Sequence, residues 1–220
     1  MQINIADFLT KVMLPPSSMW LIFARAGIVA LLICSAFCIY TAPLVMPFEY
    51  SWLSNSISES AAQGLHHAWV TRLGFLLFGL GVLWLTLYRI TTWARGTYWM
   101  QLTFAVSMLG TAAFSHKPWL AGASIDPVED FLHSLTATGM GFAFAFGVVV
   151  RFLQRGKNEK LLRTFDSTAI LAATVLTPIG GAMPEIAGLL QRTMFAIAYL
   201  WFIHEAMYPK SDDENRTQHI

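Results

Sequence analysis

The stretch Arg151-Phe152-Leu153-Gln154-Arg155-Gly156-Lys157-Asn158-Glu159-Lys160-Leu161-Leu162-Arg163 carries five basic side chains and one acid in thirteen residues, with an apolar run on either side. Loops rich in Lys and Arg stay on the cytoplasmic side of a membrane, so this gap orients the chain. The run before it, 128–152, and the run after it, 167–183, span most or all of about 30 Å of hydrocarbon at about 1.5 Å per residue. Residues 20–44, 66–88, 97–114 and 186–208 bring the apolar stretches to six. Alternating outward from the basic gap puts the amino terminus, the 89–95 loop and the chain after Tyr208 in the cytoplasm. Residues 47–65, 116–127 and 184–185 then face outside, and each short loop obeys the charge rule.

The fold class predicted is all-α: a polytopic membrane protein with six transmembrane helices in one bundle and both termini cytoplasmic. Residues 1–19 form a cytoplasmic or interfacial segment, 20–208 the transmembrane domain, and 209–220 a polar tail with too little apolar surface to order. Composition agrees, with 55% hydrophobic and 12% charged residues, and the formal net charge of +1 is segregated by loop, which excludes nucleic acid as a partner. Asp7 and Lys11 precede any long apolar run, so no cleaved signal peptide is expected. Arg25 lies near the start of the first span and is expected to snorkel to the interface. Cys34 and Cys38 lie on one face of that span and act as small hydrophobes. Thr177-Pro178-Ile179-Gly180-Gly181 removes a backbone donor inside the fifth span and predicts a kink or an early end. No internal repeat is visible, which disfavours an inverted-repeat transporter.

Polar groups that need a reason collect at the outer face. Ser54, Ser56, Ser58 and Glu59 lie in the first outer loop, and His66, His67 and Arg72 enter the second span. His116 leaves the third, Asp126, Glu129, Asp130 and His133 enter the fourth, and Glu185 and Arg192 enter the sixth. Arg72 and Arg192 each fall about 9 Å inside an outer helix end, where a guanidinium wants a partner. That partner is either an internal carboxylate, among Glu59, Asp126, Glu129, Asp130 and Glu185, or the phosphate or carboxylate of a ligand. Snorkelling to headgroups is the plainer alternative.

Asp130 and His133 are three apart at a helix start and share a face, so with His116, and His66 or His67, they are candidates for a divalent metal site or for acid–base chemistry. No His-Glu-x-x-His or Gly-x-Ser-x-Gly motif accompanies them. Ser56 stands three before Glu59, the spacing of a capping box. His204-Glu205 in the last turn of the sixth span is expected to satisfy helix-end carbonyls and water. A two-haem cytochrome is rejected, because the inner face offers only His204 within a span. Gly139 and Gly141 with Ala137, Ala143 and Ala145 form a small-residue stripe on which another helix can pack.

Four motifs in order, Ser56-Ile57-Ser58-Glu59, the run from Gly110 to His116, Phe131-Leu132-His133-Ser134-Leu135, and Gln191-Arg192 followed by Leu200-Trp201, resemble DUF998, a family of six-helix bacterial membrane proteins of unknown function. The likeness covers about 48–208. It implies a fold and a membrane location, the bacterial inner membrane being expected, and it makes Ser58, Glu59, His133 and Arg192 the positions to test first. The chain departs from that pattern in having Ser115-His116 where a proline commonly follows the phenylalanine, and in adding His66-His67. The function expected is binding of a lipid headgroup or other amphiphile in an outward-facing polar pocket. Ser58, Glu59, His67, Arg72 and Arg192 are its ligand-binding candidates, and the partners are membrane lipids. One rival is a metal-dependent hydrolase or transferase acting on lipid through His116, Asp130 and His133. Another is a packing partner in a homo-oligomer or membrane-protein complex.

Overall fold

The computed structural model describes residues 18–120 and 122–208. The expectations for 1–17 and for the tail 209–220 lie outside the described residues. Six long helical segments account for the architecture: α1 Ser18–Thr41, α2 Ala68–Tyr88, α3 Arg95–Ala113, α4 Pro127–Gln154, α5 Lys160–Ala182 and α6 Ala187–Met207. Short 3₁₀ turns at Ala42–Val45, Ser58–Ala61 and Pro184–Ile186 shape the connections, and the described residues contain no strand. Neighbours in sequence pack as antiparallel pairs, and α6 closes the ring against α1 and α5.

Five of these helices are long and apolar enough to cross a membrane; α3 falls short. Its polar residues explain why. Thr97, Gln101 and Thr111 are all buried, because α3 lies between α2 and α4 and turns them away from the surroundings. The Gly147 backbone of α4 comes so close to Gln101 that a Cβ there would meet its amide nitrogen at 2.4 Å. Neither polar atom of the Gln101 amide has a hydrogen-bond partner. Part of the small-residue stripe is used inside the protein: Gly139 faces Ser107 of α3 and Ala143 is buried, while Gly141 has open space beside it and Phe142 and Phe146 stack on the outer surface.

Apolar contact with lipid contributes little between helices that are already in lipid, so the bundle must be held by shape and by polar ties. The shape comes from aromatic rings that α6 presents to three other helices. Phe78 of α2 stacks on Tyr199 at 4.2 Å, Phe104 of α3 meets Phe202 at 5.0 Å, and Phe144 of α4 meets Trp201 edge-on at 5.8 Å. A polar tie crosses the core, where Ser35 Oγ lies 2.6 Å from both the Gly74 carbonyl and the Tyr199 hydroxyl. The surface carries the opposite pattern, with Ile22, Phe23, Phe37, Phe131 and Leu135 exposed along α1 and α4.

The fifth helix departs from expectation at its start and in not ending early at the proline. It begins at Lys160, seven residues before Ser167, and it continues past Pro178 to Ala182. The proline is accommodated by one wide turn, a π segment over Ala172–Leu176, because an α turn would press its ring against the carbonyl four residues earlier. Arg25, expected to snorkel, donates from Nε to the Tyr88 hydroxyl at 2.9 Å.

Candidate functional site

At the end of the bundle that carries the histidines, the loop 47–61 folds down over the start of α6. The capping box forms as its spacing predicts: the Ser56 amide donates to Glu59 Oε2 at 2.6 Å and the Glu59 amide to Ser56 Oγ at 3.2 Å. Asn55 donates to the other Glu59 oxygen at 3.1 Å, so this carboxylate is engaged within its own loop. Ser58 opens the 3₁₀ turn. Leu189 N donates to the Leu53 carbonyl at 2.9 Å, and Ile57 N to Gln191 Oε1 at 2.6 Å. A side chain at Gly188 would stand 2.2 Å from the Asn55 carbonyl, so only glycine lets the loop come this close.

Arg192 lies under that loop at 4% exposure, and its partner is not a carboxylate. Nη1 donates to the carbonyls of Trp52, Asn55 and Gly188 at 2.8, 2.8 and 3.0 Å, and Nη2 to the Tyr50 hydroxyl at 2.5 Å. Burial pushes the Tyr50 hydroxyl up from its ordinary value, although the Arg192 cation pulls the other way, so the hydroxyl stays neutral. Arg72 behaves alike at the end of α3. It donates to the carbonyls of Ala112 and Ala113 at 3.0 and 2.6 Å and to Ser115 Oγ at 2.9 Å. Cations at a helix carboxyl end meet its negative pole and its unpaired carbonyls together. Both guanidinium groups therefore hold backbone, and none of the five carboxylates expected beside them is the partner; Glu185 is exposed.

The acids and histidines of α4 converge on the same few residues leaving α3. The Ser115 amide donates to Glu129 Oε1 at 3.0 Å and the Lys117 amide to Asp130 Oδ1 at 2.7 Å. Asp126 caps α4 through the amides of Val128 and Glu129. His133, 1% exposed, bonds Nδ1 to the Phe114 carbonyl at 2.9 Å. A carbonyl only accepts, so Nδ1 carries the proton and Nε2 of the neutral ring is left as an acceptor. That buried Nε2 has no hydrogen-bond partner. The His116 ring stands edge-on to His133 at 5.5 Å, its Nδ1 against the Lys117 carbonyl at 2.9 Å. His116, Asp130 and His133 are thus neighbours around one backbone segment. Among the described residues, however, no three His, Cys, Asp or Glu side chains stand close enough to hold one metal ion. His67 precedes α2 without capping it and packs edge-on with His66 at 4.5 Å.

The densest charge network is at the other end, where the sequence pointed only to topology. Arg155 is bound through Nε to Asp166 at 2.5 Å and through Nη2 to Glu205, while Arg151 reaches Glu205 at 3.2 Å. Indole N–H groups complete the two acids, Trp201 on Asp166 at 2.8 Å and Trp93 on Glu205 at 2.9 Å. Burial disfavours the Arg155 cation, yet its two carboxylates raise its pKa, and the guanidinium stays charged. Arg89 closes the end of α6, donating to the backbone carbonyls of Glu205 and Tyr208. The expectation that Glu205 faces water is corrected: it is 1% exposed and ion-paired. His204 stacks on Phe165 at 4.9 Å. An acid inside an apolar segment was the available signal for Glu205.

Comparison with known proteins adds a family and nothing narrower. No curated protein matches the chain, and no solved structure does. The family model described as Protein of unknown function (DUF998) matches residues 26–207, from within α1 to the end of α6. The chain belongs to the DUF998 family.

Proposed function

We propose that this is a multi-pass protein of a bacterial inner membrane, crossing six times with its basic end in the cytoplasm, that binds the headgroup of an amphiphile at its outer mouth. The observation that carries this is the unpaired, buried Nε2 of His133 beside the His116 ring. An acceptor in that position costs free energy until a donor reaches it, and Glu129 and Asp130 alongside add acceptor oxygens. Such a set suits a hydroxyl-bearing headgroup, with His116 moving aside to admit it. Arg72 and Arg192 then act behind the site, holding the end of α3 and the loop 47–61, instead of touching the ligand.

The test is the lipid that purifies with the protein. Extraction and mass spectrometry of wild type and His133→Leu, at equal thermal stability, are expected to show one amphiphile species lost from the variant; matching lipid profiles would discard the proposal. Orientation is checked on the same preparation route by labelling single cysteines in a background free of Cys34 and Cys38. Lys117→Cys is expected to react from outside the cell and Asn158→Cys only after permeabilisation.

A further inference from the structure

A second candidate site lies at the basic end, away from the histidines. Ile90, Trp93, Arg95, Tyr98 and Trp99 line a groove of about 410 Å³ where the 89–94 loop turns into α3. That volume falls within the range of small-molecule sites, about 300–1,000 Å³. Its walls have distinct chemistry. Ile90 and Trp99 are 56% and 58% exposed and continue the apolar outer surface, and Tyr98 stands edge-on to Trp99 at 5.3 Å. Trp93 forms the inner wall, fixed by its bond to the buried Glu205.

Arg95 is the cation of this groove. The other arginines at this end are committed: Arg89 to the carbonyls of Glu205 and Tyr208, Arg151 and Arg155 to the two acids, and Arg163 to the carbonyls of Phe152 and Arg155. Among the described residues none forms a hydrogen bond or ion pair with Arg95, and no acid lines the groove. An exposed guanidinium with no counter-ion among the described residues, ringed by indole and phenol groups beside a lipid-facing surface, matches one kind of occupant. Indole and phenol rings settle at the headgroup layer, and a guanidinium grips a phosphate with two parallel donors. The same guanidinium repels a quaternary ammonium, so the three aromatic rings do not make a choline cage.

We propose that this groove binds a phospholipid of net negative headgroup charge from the leaflet at the basic end, its phosphate on Arg95 and its acyl chains along Ile90 and Trp99. The site is independent of the His133 proposal, since it shares no residue with it. Full-length protein in a neutral detergent, stripped of lipid and offered equimolar phosphatidylglycerol and phosphatidylcholine of identical chains, is expected to retain one phosphatidylglycerol preferentially by native mass spectrometry. Arg95→Gln is expected to lower that retention about tenfold, the effect of losing a charge-assisted bond, and Arg95→Lys to recover part of it. Arg95 is exposed, so the variant keeps its fold, which its thermal midpoint verifies. Equal retention of the two lipids by wild type, or equal phosphatidylglycerol retention by wild type and Arg95→Gln, overturns the proposal. Unchanged retention in His133→Leu shows that the two sites fail or stand separately.

Discussion

Gln101 and Arg192 show two opposite ways of burying a polar side chain. Arg192 has four donor contacts and anchors a loop, whereas the Gln101 amide, fully buried, has none. A buried amide without partners lowers stability, and an apolar group of the same shape removes that cost. Gln101→Met is therefore expected to raise the thermal midpoint in detergent, by roughly 2–6 °C for about 1–2 kcal/mol. A fall of similar size would show that Gln101 is paired through water. Arg192 was legible from sequence as a charge needing company, but its company was not. Carbonyls of a folded loop are invisible to a charge count, and the sequence offers only acids as obvious partners.

At the scale of elements, α5 is where composition and geometry part. Proline and two glycines suggested an interrupted span, and the chain instead keeps its helix by widening a single turn over Ala172–Leu176. Pro178→Ala is expected to let that turn tighten to α, which slows amide exchange across 172–176. Unchanged exchange would assign the π turn to packing against α6. The other helices were readable within a few residues, since long apolar runs bounded by charged loops leave little freedom. The start of α5 was not, because its first turns lie inside the basic gap; placing the span at Ser167 left Asp166 just outside and hid its pairing with Arg155. The histidine cluster was half legible. That α4 and the end of α3 meet follows from a short connection, whereas the grip of Glu129, Asp130 and His133 on backbone depends on the exact exit of the chain after Ala113.

For the whole molecule, Glu205 joins most of the parts. Through it and Asp166 the end of α4, the start of α5, the end of α6 and the 89–94 loop are tied in one place. Removing one partner of a buried pair leaves an uncompensated charge and costs about 3–5 kcal/mol. Glu205→Gln is accordingly expected to lower the thermal midpoint by roughly 10 °C, and a change under about 2 °C would show that the network contributes little. Its position on the sixth helix of the bundle has a bearing on biosynthesis. A nascent chain halted before residue 205 has made Arg151 and Arg155 but only one of the two acids that pair with them. Those cations must stay hydrated at the membrane surface until translation delivers α6, so the sixth helix locks the five made before it in place.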